Sequence, residues 1–390
     1  MGIDELKANI IKEVGARRGE LTKLSKIIHE NPEEGRCETK AASWLSSYLE
    51  HNGFRLERGL AELPTAFAAR YGEGHPVIAF LAEYDALPGL GHACGHNIIA
   101  ASAAGAAVAS MLAVKQFGGT IVVIGTPDEE KGAGKAVLVD SGVFDGIDAA
   151  MMVHPGGYDM ATMKTLACQT VALEFFGKEA HAAASPELGI NALEAMLLSF
   201  AAVNSLRQHI REKARIHGII TDGGRAANIV PGHSAGNFMV RAEDDGYLEE
   251  LKQKVINCFV GAGSATGARL EYRWDDAPYR TMKSNLTVAR LFQDNMKSLG
   301  RDVILTDPEK SFFSTDMGNV SQVVPAIHAM VAIAPTGVSL HTPAFADASV
   351  SAAGTKGLID GAGALAMTAA DLLAGKEIMT GVKEEFFEQK

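Results

Sequence analysis

Alternation governs this sequence. Short β-rich runs at 76–82, 120–125 and 149–153 are separated by helical stretches at 98–115 and 135–141. Strands that alternate with helices tend to pair in parallel, because a parallel neighbour needs a crossover long enough to hold a helix. The pattern predicts a sheet that is parallel in large part and covered by helices. Apolar spacing also predicts an amphipathic helix over 3–30 and a second helix over 38–52.

From about Leu166 the order changes. Strands at 170–176, 216–221, 234–240 and 270–274 surround helices at 190–211 and 245–259. The resulting β-α-β-β-α-β order describes a split βαβ sandwich set into a larger domain. After about Ala277 the first texture returns, with a helix at 288–299, an apolar strand at 326–333 and an alanine-rich helix at 348–373. The fold class read from this is α/β with two domains. The catalytic domain would comprise 1–167 and 278–390, and an α+β domain would be inserted at 168–277.

A chain of 390 residues suits two domains, and 47% hydrophobic with 21% charged residues is ordinary for a globular enzyme. A net charge of −11 argues against nucleic acid or anionic membrane as the main partner. Residues 98–114 carry no charge, but they are mostly alanine and fall short of the ~20 strongly apolar residues of a span. They read as a buried helix. Four scattered cysteines and no visible signal peptide lead to an expectation of cytosolic thiols and a cytoplasmic location.

Four places could carry chemistry, each where a predicted strand runs out. The densest is Gly91-His92-Ala93-Cys94-Gly95-His96-Asn97. Thiolate and neutral imidazole are donors that zinc prefers. The same Cys94 could instead be a nucleophile activated by His92 or His96. The second place is Pro127-Asp128-Glu129-Glu130, where adjacent carboxylates could divide metal binding from proton transfer. His154 ends the run at 149–153, and His341 follows the strand at 326–333. His328, inside that strand, reads as a core residue. Near misses to nucleotide-binding loops fail at defining positions: Cys94 replaces a glycine, and Ala136 a hydroxyl residue. No Gly-x-Ser-x-Gly elbow is present.

Glu83-Tyr84-Asp85-Ala86-Leu87-Pro88, the heptad at 91–97, Thr126-Pro127-Asp128-Glu129-Glu130 and His154-Pro155 together resemble the two-metal amidohydrolases of metallopeptidase family M20. The resemblance covers nearly the whole chain. It is strongest to the branch holding auxin-conjugate hydrolases, aminobenzoyl-glutamate hydrolases and β-alanyl dipeptidases. Asn97 and Ser314-Thr315-Asp316-Met317-Gly318-Asn319 point away from the auxin-conjugate members.

The resemblance implies two divalent metals per subunit, held by Cys94, His96, Glu130, His154 and His341, with Cys94 shared. Zinc suits the thiolate and imidazole donors best, and the carboxylates also admit manganese or cobalt. Glu129 would be the general base, and Asp85 would orient a ligand. The inserted domain would act as a lid and form a homodimer. Its His181 would contribute to catalysis, Asn228 and Arg241 would hold substrate, and Ser314 and Thr315 would join them. The implied reaction is hydrolysis of an amide in an N-acyl or aminoacyl amino acid, a small-molecule conjugate or dipeptide. Two other readings stand beside it: a catalytically silent binding protein of the same fold, and a Cys94-nucleophile amidase.

Overall fold

A computed structural model of the chain describes residues 1–306 and 313–389. Packing divides it into two units, one formed by Met1–Lys164 with Met282–Lys390 and the other by Thr165–Thr281.

The first unit opens with helices α1 (Ile3–Ala16), α2 (Arg18–Glu30) and α3 (Thr39–His51). Strands β1 (Arg55–Arg58), β2 (Phe67–Glu73) and β3 (Val77–Ala82) follow. Helix α4 (His96–Phe117) leads to β4 (Gly119–Gly125), the short helices α5 (Glu129–Gly132) and α6 (Gly134–Asp140), and β5 (Ala149–Gly156). The second unit contains β6 (Ala167–Phe176), α7 (Ala192–Leu206), β7 (Arg215–Asp222), β8 (His233–Ala242), α8 (Asp245–Thr266) and β9 (Arg269–Trp274). The first unit then resumes with α9 (Leu286–Ser298), α10 (Met317–Ser321) and β10 (Ala326–Ala332). It closes with α11 (Pro343–Ser349), α12 (Ala352–Ala374) and α13 (Lys376–Glu388).

The larger sheet has the order β1-β2-β4-β3-β5-β10. Strands β4, β3, β5 and β10 are parallel neighbours, as the alternation predicts. The β3 run is apolar throughout because both its faces are buried. Ile78, Phe80 and Ala82 join the core beneath α4 and α12, whereas Val77, Ala79 and Leu81 face a second core with Leu138, Phe144 and Met317. Helix α4 is buried nearly all round, which is why its sequence lacks a polar stripe. Both α4 and α12 are long and apolar enough to span a membrane, and both are largely buried in the first unit. Small residues let them pack closely: a Cβ on Gly105 of α4 would lie 3.4 Å from the Cβ of Ala362 on α12.

Four expectations need correcting. The helix predicted over 3–30 is broken at Arg17, whose backbone leaves helical geometry (φ −90°, ψ 3°). There the guanidinium bonds Glu13 at 2.7 Å and Asn52 at 2.8 Å, holding a corner. The helix predicted over 348–373 is also two, with Ser351 capping α12 through Gly354 N–H at 3.0 Å. Strands β1 and β2 were not anticipated; they add an antiparallel edge to the sheet. The short helix α10 and the C-terminal helix α13 were missed as well.

In the second unit the order is β-α-β-β-α-β and the sheet, β7-β8-β6-β9, is antiparallel. Val171, Leu173 and Phe175 of β6 point into a core with residues of α7 and α8, while Ala172 and Glu174 face outward. That is the period-two pattern of a sheet covered on one side.

Candidate metal centre and active site

Parallel strands deliver their carboxyl ends to one edge, where open α/β sheets place their chemistry. Strand β3 runs directly into Glu83-Tyr84-Asp85, β4 into Thr126–Glu130, β5 carries His154 near its end, and His341 follows β10. Between Leu87 and Gly91 a reciprocal pair of backbone hydrogen bonds (3.0 and 3.1 Å) closes a tight turn. Gly95 then starts α4 in the left-handed region, φ +79°. A Cβ there would sit 2.5 Å from Pro155 Cγ, so only glycine allows the 94–96 segment to approach His154.

The arrangement gathers donors from four segments. Cys94, His96 and His154 offer ligand atoms within 4.8 Å of one another; so do Cys94, Glu130 and His341, and so do His96, Glu129 and Glu130. Cys94 Sγ is 3.4 Å from His154 Nε2. Glu130 lies 3.7 Å from His96 Nε2 and, through its other oxygen, 3.6 Å from His341 Nε2. His341 is half-exposed and adopts a positive φ of 61°, held by its N–H to Ala93 O at 2.9 Å.

Second contacts aim these rings. His96 Nδ1 lies 2.9 Å from both the backbone oxygen and Oδ1 of Asp85. Asp85 Oδ2 accepts the Glu130 N–H at 2.9 Å, so one carboxylate braces two donors. His154 Nδ1 is satisfied by Pro155 O at 2.7 Å, which leaves Nε2 towards Cys94. The ring of His328 stacks on His154 at 5.4 Å, and His328 is buried in the core as its sequence context suggested.

The donor set fits divalent metal. His96 Nε2 and Glu130 Oε1 are buried with no hydrogen-bond partner among the described residues, an arrangement that calls for a cation. Burial pushes the Cys94 thiol well up, with Glu130 adding to it. Burial likewise raises Glu129 well above the ordinary carboxyl range, helped by Glu83, Glu130 and Asp316. Burial and His328 bring His154 down to about 3, which favours the neutral ring, the form able to bind a metal. Metal binding at such a cluster displaces protons. His92 lies apart from the three donor groups, stacked on His29 at 6.2 Å.

A second buried cluster escaped the sequence reading. Glu83, Glu129 and Asp316 bring carboxylate oxygens within 4.8 Å of one another, and Lys135 Nζ lies 2.6 Å from both Glu83 and Asp316. Burial would lower Lys135, but Asp316 and Glu83 hold it well above the usual lysine value. The available signal was a lone lysine in Gly134-Lys135-Ala136-Val137-Leu138, an otherwise apolar helix start.

Ser314 and the buried Thr315 immediately precede Asp316 of that cluster, and Thr315 Oγ1 accepts the Met317 N–H at 3.2 Å. His181, Asn228 and Arg241 belong to the second unit. His181 Nδ1 accepts the N–H groups of Ala183 and Ala184, and Ala182 N–H bonds Asn228 O at 3.1 Å, so His181 and Asn228 sit on adjoining segments. Arg241 lies on β8 and contacts Met239 Sδ at 3.0 Å.

A family model described as Peptidase family M20/M25/M40 matches residues 79–360. The chain belongs to this family. A Xaa-Arg dipeptidase of Mus musculus is 36% identical over 366 residues, covering 90% of this chain and 81% of that protein. A p-aminobenzoyl-glutamate hydrolase chain of Escherichia coli is also 36% identical, over 308 residues, covering 72% of this chain and 64% of that one. An aminobenzoyl-glutamate utilization protein from Klebsiella pneumoniae shares the fold, with TM-score 0.74 at 18% identity over 92% of this chain and 97% of its own. So does a Bacillus subtilis dinuclear metal binding peptidase of the M20 family, with TM-score 0.67 at 20% identity over 92% and 99%. As an M20 member the chain is a hydrolase of the dipeptidase and amidohydrolase kind.

Proposed function

We propose that this M20 hydrolase cleaves the amide of an aminoacyl or N-acyl amino acid with the help of two divalent metals. The observation that carries the reading is the convergence of Cys94, His96, Glu130, His154 and His341 in overlapping donor groups, with Glu129 among them. Dipeptides come first as substrates, because the Xaa-Arg dipeptidases of mouse and human align over more of their length than the aminobenzoyl-glutamate hydrolase. Cys94 lies within two groups of ligand-type donors, which favours a metal-bound thiolate over the nucleophile alternative.

The five donors would hold the metals, zinc by preference for thiolate and imidazole, with manganese or cobalt admitted by the carboxylate. Bound there, such ions supply Lewis acidity that lowers the pKa of a water towards ~7. Glu129 takes the proton of the attacking water and returns it to the leaving amine. Asp85 keeps His96 and Glu130 aimed. His181 donates to the developing oxyanion, and Arg241 and Asn228 anchor the substrate carboxylate, with Ser314 and Thr315 lining its path. The second unit acts as a lid and as the homodimer contact.

The test is a chelated protein reloaded separately with zinc, manganese and cobalt, then assayed on dipeptides ending in arginine, β-alanyl dipeptides, N-acyl amino acids and aminobenzoyl-glutamate. Glu129→Gln should keep its metal and lose turnover by ~10² or more. Near-normal turnover in that variant removes the base, and failure of every metal to restore activity removes the hydrolase mechanism.

A further inference from the structure

The mechanism leaves the buried charge of Lys135 unused. The Lys135 side chain is wholly buried, an uncommon state for lysine unless it is paired. Its ammonium lies 2.6 Å from Glu83 Oε1 and 2.6 Å from Asp316 Oδ1, and its own N–H donates to Asp316 Oδ2 at 2.8 Å. The third carboxylate of the cluster is Glu129, with oxygens of all three within 4.8 Å of one another. Carboxylates this close repel strongly away from water. Where Glu129 settles therefore depends on what holds its two neighbours.

Each neighbour also reaches further. Glu83 Oε2 is 3.5 Å from His96 Nε2, the ring nitrogen aimed at the donor cluster. Asp316 follows Ser314 and Thr315 in the chain. Backbone geometry fixes the lysine itself. Gly134 N–H bonds Asp128 O at 3.1 Å, and a Cβ on Gly134 would lie 1.9 Å from Pro127 O. The 127–135 turn is thus closely packed, and Glu129 and Lys135 are presented from its two ends.

We propose that Lys135 is a positioning residue for Glu129: an internal ammonium, seated where three carboxylates would otherwise invite a further metal ion, that pins Glu83 and Asp316 and so keeps the Glu129 carboxylate on the reacting water. The proposal rests on the reading of Glu129 as the base. A metal in this place could exchange and would compete with the donors of the main centre. A covalently tethered ammonium does neither.

The test is a double-mutant cycle on the metal-loaded, full-length protein, using Lys135→Met, which keeps the side-chain length, and Glu129→Gln. In Lys135→Met, kcat should fall by ~10², the loss that a displacement of about 1 Å can cause. KM should stay within about threefold, because no contact to substrate is removed. Metal content per subunit, measured by elemental analysis, should equal that of the wild type. Adding Lys135→Met to Glu129→Gln should cost no more than about twofold further, because residues acting through one group are not additive. Wild-type kcat in Lys135→Met, multiplicative losses in the double variant, or metal lost in step with activity would each overturn the proposal. If Lys135→Met does not fold, Lys135→Met/Asp316→Asn keeps the formal charge of the cluster. Low kcat in that folded protein supports positioning, whereas recovered kcat means that charge balance alone matters. A dead Glu129→Gln beside a silent Lys135→Met removes only this proposal, while an active Glu129→Gln removes the base reading beneath it.

Discussion

Asp85 offers the most discriminating perturbation of the donor cluster. Its Oδ1 lies 2.9 Å from His96 Nδ1 and its Oδ2 accepts the Glu130 N–H at 2.9 Å, so Asp85→Ala removes both braces at once. The two losses are unequal. The backbone oxygen of residue 85, also 2.9 Å from His96 Nδ1, survives the substitution and still fixes the ring and its tautomer. Among the described residues the Glu130 N–H has Asp85 Oδ2 as its acceptor and no such substitute. Partners that orient metal ligands typically contribute 10–100-fold in affinity, or about 1.4–2.7 kcal/mol. With the backbone acceptor retained, Asp85→Ala should fall at the lower end, about 10-fold weaker binding. Asp85→Asn should lose a similar amount, because its amide can present one acceptor oxygen where the carboxylate presents two. The assay is titration of chelated protein with zinc against a chromophoric competitor, with the thermal midpoint as a control for folding. Affinity within twofold of the wild type in both variants would refute the bracing argument. A loss beyond about 10³ would refute it from the other side, because Asp85 would then be acting as a ligand rather than behind one.

Two further predictions concern stability. Gly95→Ala should destabilise the protein by about 2–4 kcal/mol in urea unfolding, combining the cost of a left-handed non-glycine residue with overpacking against Pro155; a loss below about 0.5 kcal/mol would show that the loop relaxes freely. Asp148 is buried, yet Lys383 Nζ, His75 Nδ1 and the Val77 N–H, at 2.6, 2.6 and 2.7 Å, hold its carboxyl below the usual range. A depressed carboxyl stabilises the fold above its unfolded value of about 4 and loses that contribution as pH falls through the lower folded value. The stability gap between wild type and Asp148→Asn should therefore be full at pH 7 and shrink below about pH 4, and a gap that stays constant down to pH 3 would contradict the assignment.

Much of the architecture was legible because periodicity and burial coincide. The apolar runs of β3, β4 and β5 are buried on both faces, and the charge-free 98–114 stretch of α4 is buried nearly all round, so composition reported their environment directly. Breaks that leave the apolar spacing intact were invisible. Leu6, Ile10, Val14, Leu21, Leu24 and Ile28 keep one buried face across the corner at Arg17, which a side-chain contact to distant Asn52 maintains. The edge strand β1 was missed for a related reason: it is mostly exposed, and its pairing is supplied by its neighbour β2 rather than by its own pattern.

The same division runs through the site. Sequence alone determined which residues could serve as metal donors, because Cys94, His96, Glu129, Glu130, His154 and His341 are chemically conspicuous and stand where strands end. Tertiary structure decided which atoms meet. It turned His154 Nε2 towards Cys94, set Asp85 behind both His96 and Glu130, and left His92 stacked on His29 outside the donor groups. It also joined Glu83, Lys135 and Asp316 beside Glu129, across separations in the chain that no local pattern encodes. Donor chemistry belongs to a side chain and is written in its identity. Coordination and electrostatic balance belong to distances of a few ångströms, and only the packed sheet and its loops set those.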